Sequence, residues 1–299
     1  MYYIVLAILW VIAMLPMPLL YLLSEFIYFA GYYLIGYRKS VVHANLRNAY
    51  PDKSDEEIGS IAKAFYHNFC DYLVETVKLI HSNERRTRSM VSFENTELID
   101  QLYREGRGIM LLQGHFFNWE LALMLGQEKS EYDRYVVYQK LTSQLSEKMI
   151  FRLRGRYGTK LLAMYQTVDT IKENESMVRL RSPKGGDAYR PAMYQFGADQ
   201  SPMQHKIEYW STFMNQDAAI FLAPERLSKE YNLAVVYLDL QKVGRGKYTI
   251  KYSLITDKPG DTSEKEITEA YVKKLEEAID KNPSNWLWSH KRWKNKKEE

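Results

Sequence analysis

The chain has 299 residues, 46% of them apolar, which suffices for one substantial core and excludes a disordered composition, and a formal net charge of only +4. The single cysteine, Cys70, excludes an intrachain disulfide framework and a thiolate zinc cluster, and it places the folded part in a reducing compartment. No internal repeat is present.

Residues 1–37 differ from everything after them. From Tyr2 to Ser24 there is no charge, and as one helix this stretch would extend about 34 Å, enough to cross a hydrocarbon core of about 30 Å. Glu25 interrupts it, and a second apolar aromatic stretch, 26–37, precedes Arg38 and Lys39. No basic leader or small-residue cleavage site marks a signal peptide. Bases that follow the apolar segment put the downstream domain in the cytoplasm if the helix spans. A helix dipping into one leaflet fits equally, because Glu25 is costly at mid-membrane. The expected organisation is a membrane anchor over 1–37 and a domain at the cytoplasmic face over 38–299.

Beyond the anchor, helix and strand patterns alternate. Ser54 with Glu57 makes a capping box, and apolar residues recur at helical spacing from Ile58 to Ile80. A buried strand is expected over 108–113, a helix from Trp119, a strand over 135–139 and a helix over 143–154. Further strands are expected over 160–164, 192–197 and 233–240, the last paired with 248–254. Ser263 and Glu266 cap a helix running to Lys281. This order predicts an α/β fold, a mixed and mainly parallel sheet covered by helices.

The stretch GHFFNWE, 114–120, directly follows an apolar strand. On one helix, positions 115 and 120 would point about 140° apart. With His115 closing the strand and Glu120 in the first turn of the next helix, both face the crevice beyond the strand's carboxyl end, where open α/β sheets bind ligands. A histidine oriented by a carboxylate serves as a general base toward a hydroxyl; the spacing alone fits a structural histidine as well. GxSxG, HExxH, GxxxxGK[ST] and GxGxxG are all absent, which removes support for a hydrolase with its own nucleophile, a zinc peptidase and an NTPase.

GRGIMLLQGHFFNWELA resembles the signature block of the bacterial lipid A late acyltransferases, a branch of the lysophospholipid acyltransferase superfamily with the motif H-x4-D/E. The segments 41–57, 149–164, 197–202, 207–236 and 282–294 resemble further blocks of that family, in family order along nearly the whole chain. The resemblance implies a glycerolipid acyltransferase-like fold and an inner-membrane enzyme that moves a fatty acyl group to a hydroxyl of a lipid A precursor. The donor would be a thioester of acyl carrier protein, or acyl-CoA, with no cofactor and no metal. His115 would be the base and Glu120 its orienting group. Arg154 and Arg156 match the family's Arg-x-Arg region, where they would serve the oxyanion or the acceptor's phosphates; alone they read as a solvated helix face. Asp199 matches an Asp-Gln turn, where it would position substrate or pair with an arginine; alone it reads as a turn residue. Helix followed by strand is expected over 207–236.

Other acceptors within the superfamily, a mannolipid, aminolipid or lysophospholipid, remain open at this stage. A membrane adaptor or nucleic-acid binder using the basic tail is the third reading, and no nucleic-acid motif supports it. The last nine residues hold five bases, which suits an anionic membrane surface, an acidic protein partner or a solvated end. Trp286, Trp288, His290 and Trp293 form either an aromatic rim at the headgroups, with Lys291, Arg292 and Lys294 reaching anionic lipid, or core packing. The family usually carries glycine where Phe117 stands, which puts any close backbone approach beside the pair in question. The polar segment 182–190 reads as a hairpin loop at the cytoplasmic face.

Overall fold

A computed structural model describes residues 2–125, 131–180 and 190–297. Two apolar helices, α1 (Tyr2–Met14) and α2 (Met17–Phe29), open the chain, and a wider helical turn over Ala30–Ile35 extends α2. The uncharged stretch is therefore not one rod. Pro16 lacks an amide hydrogen and stands with extended backbone before α2, so the first helix ends there. Helices α3 (Lys39–Ala49) and α4 (Asp55–Leu79) follow. The expected box closes at the start of α4: Ser54 Oγ accepts from the Glu57 amide at 3.2 Å, and the Ser54 amide donates to Glu57 at 2.8 Å.

The next elements are α5 (Glu84–Arg88), β1 (Val91–Glu94), α6 (Thr96–Arg104), β2 (Ile109–Gln113), α7 (Trp119–Leu125), β3 (Asp133–Tyr138), α8 (Gln144–Arg154), β4 (Lys160–Ala163), α9 (Thr167–Leu180) and β5 (Ala192–Gly197). The chain continues with β6 (Tyr209–Phe213), β7 (Gln216–Ile220), α10 (Ala223–Tyr231), β8 (Ala234–Gly244), β9 (Lys247–Thr256) and α11 (Glu266–Lys281). Seven strands form one sheet in the order β1-β9-β8-β2-β5-β3-β4, parallel except where β8 meets β9. The fold is thus the expected α/β class. Strand β2 lies at the centre, and all five of its residues are buried, as an apolar run covered on both faces requires.

Two expectations give way. The segment 207–236 begins with an antiparallel hairpin of β6 and β7, not a helix; α10 and β8 come after it. Ser263 does bond the Glu266 carboxylate, but Lys265, in a left-handed conformation, stands at the helix N-terminus. The polar segment 182–190 lies outside the described residues except for Arg190.

Candidate active site

The sheet order brings the catalytic candidates together. Strands β2 and β5 are parallel neighbours, with Ile109 opposite Met193 and Gln113 opposite Gly197. Carrying that register two residues past both carboxyl ends sets His115 beside Asp199. The imidazole Nδ1 lies 2.5 Å from Asp199 Oδ1, and the His115 amide donates to Oδ2 at 2.7 Å. Trp286 Nε1 donates to the same Oδ2 at 2.7 Å. The ring rests against Gly197, where an added Cβ would come within 2.7 Å of His115 Cε1, so this position admits no side chain.

Asp199 is 3% exposed. Burial disfavours its charge, but the neighbouring His115 and the hydrogen bonds from His115 and Trp286 outweigh burial and hold the carboxyl down to about 2. An ionised Asp199 accepts the Nδ1 proton, which leaves the Nε2 lone pair as the basic position. Nε2 faces the amide nitrogen of Gln200 at 3.3 Å. The His115 side chain as a whole retains 21% exposure.

The carboxylate of Glu120 is engaged away from His115. Among the described residues no hydrogen bond joins the two; Glu120 instead forms a bidentate pair with Arg154, Nε to Oε2 and Nη2 to Oε1, both 2.8 Å. Trp119 Nε1 completes its shell at 3.0 Å, and the Trp119 ring stands edge-on to His115, centroids 5.3 Å apart. The reason is directional: α7 begins only at Trp119, and Glu120 in its first turn is aimed at the last turn of α8. Burial works against the Arg154 charge, yet the pairing with Glu120 raises its pKa above the ordinary value. Arg154 is thus no solvated residue. Arg156 also has a fixed partner, donating to the carbonyls of Leu79 and Ile80 at 2.8 and 2.7 Å, the orphan acceptors at the end of α4. Asp199, for its part, pairs with the histidine and not with an arginine.

Phe117 points away from the pair. It is fully buried among Phe65, Phe69 and Tyr72 of α4 and Trp119, with ring centroids 5.6 to 5.9 Å away. The main chain of this loop is tied to the C-terminal block, the Phe117 amide donating to the Asn285 carbonyl at 3.0 Å. That block is core, not a headgroup rim. Trp286 and Trp288 are 1% and 0% exposed, and Arg292 is buried against Phe213 with its guanidinium donating to the Ala219 carbonyl. Lys291 and Lys294 remain exposed. His290 accepts weakly from the Ser201 amide at 3.5 Å, and burial pushes its pKa down to about 4.

Beside the Glu120–Arg154 pair lies a cleft of about 460 Å³ between α1, α4 and α8. Leu6, Leu9, Val77, Ile150 and Leu153 make its apolar walls, and Glu120, Arg152 and Arg156 are its charged lining. Its size and apolar walls are those of a small-molecule or lipid-chain site. A second cleft, about 530 Å³, is bordered by Asn45, Asn48 and four lysines, Lys291, Lys294, Lys296 and Lys297. Residue-type reasoning missed Trp286 as a partner of Asp199 and Gln200 as a donor at Nε2. Neither carries a local signal beyond proximity in sequence to Asp199 or to a tryptophan-rich end.

No curated protein matches the chain in a sequence search. The family model for bacterial lipid A biosynthesis acyltransferases matches residues 1–295, nearly the whole chain. With the motif histidine on the carboxyl edge of an α/β sheet, this chain belongs to the bacterial lipid A biosynthesis acyltransferase family.

Proposed function

We propose that the protein transfers a fatty acyl chain from an acyl carrier protein thioester to a hydroxyl of a lipid A precursor, at the cytoplasmic face of the inner membrane. The observation that carries this reading is the His115–Asp199 pair, 2.5 Å apart just past the end of the central strand, with Gln200 as the neighbour of Nε2.

His115 Nε2 removes the proton of the acceptor hydroxyl as its oxygen attacks the thioester carbonyl carbon. Asp199 holds the tautomer and stabilises the imidazolium, an arrangement worth roughly 10² to 10⁴ in rate. The tetrahedral intermediate collapses with loss of the thiolate, which takes the proton back from Nε2. Gln200, at 3.3 Å from Nε2, is placed to donate to the oxyanion once substrate displaces it from the imidazole; losing one such donor typically lowers the rate by about 10² to 10³. Glu120, held by Arg154, keeps Trp119 against the imidazole and lines the apolar cleft, which takes an acyl chain. The lysine-bordered cleft suits an acidic carrier protein or acceptor phosphates.

The test is a purified-enzyme assay that follows thiol release from an acyl carrier protein thioester in the presence of the glycolipid acceptor. His115→Ala is expected to lose at least 10² of kcat while keeping its circular dichroism spectrum. A folded His115→Ala enzyme of wild-type rate would remove the proposal.

A further inference from the structure

We infer that α1 and α2 do not cross the bilayer: they lie within one leaflet, docked along α4, so that Tyr3 and Arg38 stay on the same side. This rests on the reading above that the protein is membrane-bound, and it adds how it is held there. The stretch Met17–Ile35 is long and apolar enough to span, but length permits a crossing without requiring one.

The contacts along α4 decide against it. Helix α2 runs antiparallel to α4, and polar pairs join them from end to end. Lys78, 4% exposed, donates to the Ala13 and Leu15 carbonyls at 2.7 and 2.8 Å, which fixes the break between α1 and α2 on the domain. One turn further on, the Tyr21 hydroxyl donates to Glu75 at 3.0 Å; next, Ser24 Oγ donates to Asp71 at 2.8 Å. Glu25, near the middle of the 17–35 stretch, pairs with Arg245 of the β8–β9 turn and with His67 of α4. At the far end the Tyr66 hydroxyl donates to the Tyr37 carbonyl at 2.6 Å. If α2 crossed the membrane in this register, α4 would have to cross with it, carrying Asp71, Glu75 and Lys78 and the strands beneath. If α2 crossed alone, Glu25 would sit unpaired near the bilayer centre, and Glu75 and Asp71 would lose their Tyr21 and Ser24 partners.

The opposite face is apolar and unpaired. Leu22, Phe26 and Phe29 of α2 and Ile4, Ile8 and Val11 of α1, each set at i, i+4, i+7, are all at least 53% exposed. Arg38 and Lys39 follow where such a helix returns to the headgroups. The occupant that fits is the acyl region of a single leaflet: each of the two helices presents an apolar stripe with no charge on it, while polar pairs commit the chain between and along them to the domain. Because Leu6 and Leu9 of α1 also wall the apolar cleft, chains enter that cleft sideways from the leaflet.

The experiment is thiol chemistry in membrane vesicles, in a Cys70→Ala background that removes the native cysteine. The pair Glu25→Cys with Arg245→Cys, and separately Glu25→Cys with His67→Cys, are treated with a membrane-impermeant maleimide and with a short bismaleimide. Docking within one leaflet predicts labelling at 25 and 245 from the same vesicle face and an intramolecular crosslink in at least one pair. A position 25 that stays unreactive while 245 reacts, or labelling from opposite faces, overturns it. A Phe26→Cys thiol that crosslinks two copies makes that face a protein interface and also overturns it. Recovery of the wild-type chain in the soluble fraction instead removes the membrane reading itself, whereas loss of acyl transfer with the labelling pattern intact touches only the enzymatic proposal.

Discussion

His115 was legible because a histidine that closes an apolar strand ends up at the ligand edge of an α/β sheet. Asp199 was singled out only through the family resemblance, and its pairing with His115 was not legible. Asp199 lies 84 residues away and meets His115 only because β5 is the parallel neighbour of β2, and no local pattern reveals sheet order. The separation of duties makes two substitutions behave differently. Asp199→Asn removes the charge that holds the Nδ1 proton, so kcat should fall by roughly 10² to 10⁴ with KM little changed in steady-state assays. Glu120→Gln leaves Arg154 buried without its counter-charge, which should cost about 3–5 kcal/mol of stability, read from denaturant midpoints; the double variant Glu120→Leu/Arg154→Leu should recover most of it. His290 supplies a pH signature. Its folded pKa, about 4, lies below the ordinary value of 6.5, so between these the unfolded chain holds a proton that the folded chain does not. Its contribution is full above pH 6.5 and is lost as pH falls toward 4. The urea midpoint should therefore drop across that window, and less steeply in His290→Gln.

At the scale of elements, continuous apolar runs such as β2 and the box before α4 announce themselves. The β6–β7 hairpin does not: Met214 and Asn215 both adopt positive φ, 49° and 60°, the geometry of a tight hairpin turn, but without the Asn-Gly pair that usually marks it. Strand β1 is a four-residue edge strand, too short to show alternation. The break at Pro16 was visible as a residue, yet the charge-free run masked it. The cleft between α1, α4 and α8 belongs to no one segment, which is why its walls could be found only in the assembled fold. If it takes the acyl chain, Ile150→Trp should shorten the preferred donor, with roughly tenfold or more lost for each methylene that no longer fits, measured by product masses from a mixture of donors.

For the whole molecule, family blocks in order along the chain pointed to the class of fold and the class of chemistry, and the family match over residues 1–295 agrees. What they did not disclose is how surfaces are divided. Of the two readings of the tryptophan-rich end, core packing is the one found: Trp286 and Trp288 fill the core, Arg292 is buried with them, and the lysines of the C-terminal segment are exposed around a basic cleft. If an acidic carrier protein docks there, KM for the carrier thioester should rise with ionic strength, because exposed charges are screened within about 8–10 Å at 0.1–0.15 M salt. Replacing Lys294, Lys296 and Lys297 with Glu should raise KM further without changing kcat.

The central claim, acyl transfer through His115, is tested most directly by mass spectrometry of total lipid from cells lacking this protein, complemented with wild type or with His115→Ala. A glycolipid lighter by one fatty acyl chain should accumulate, and wild type should restore its mass whereas His115→Ala should not. Restoration by both, or no change of mass in any lipid, would contradict the claim.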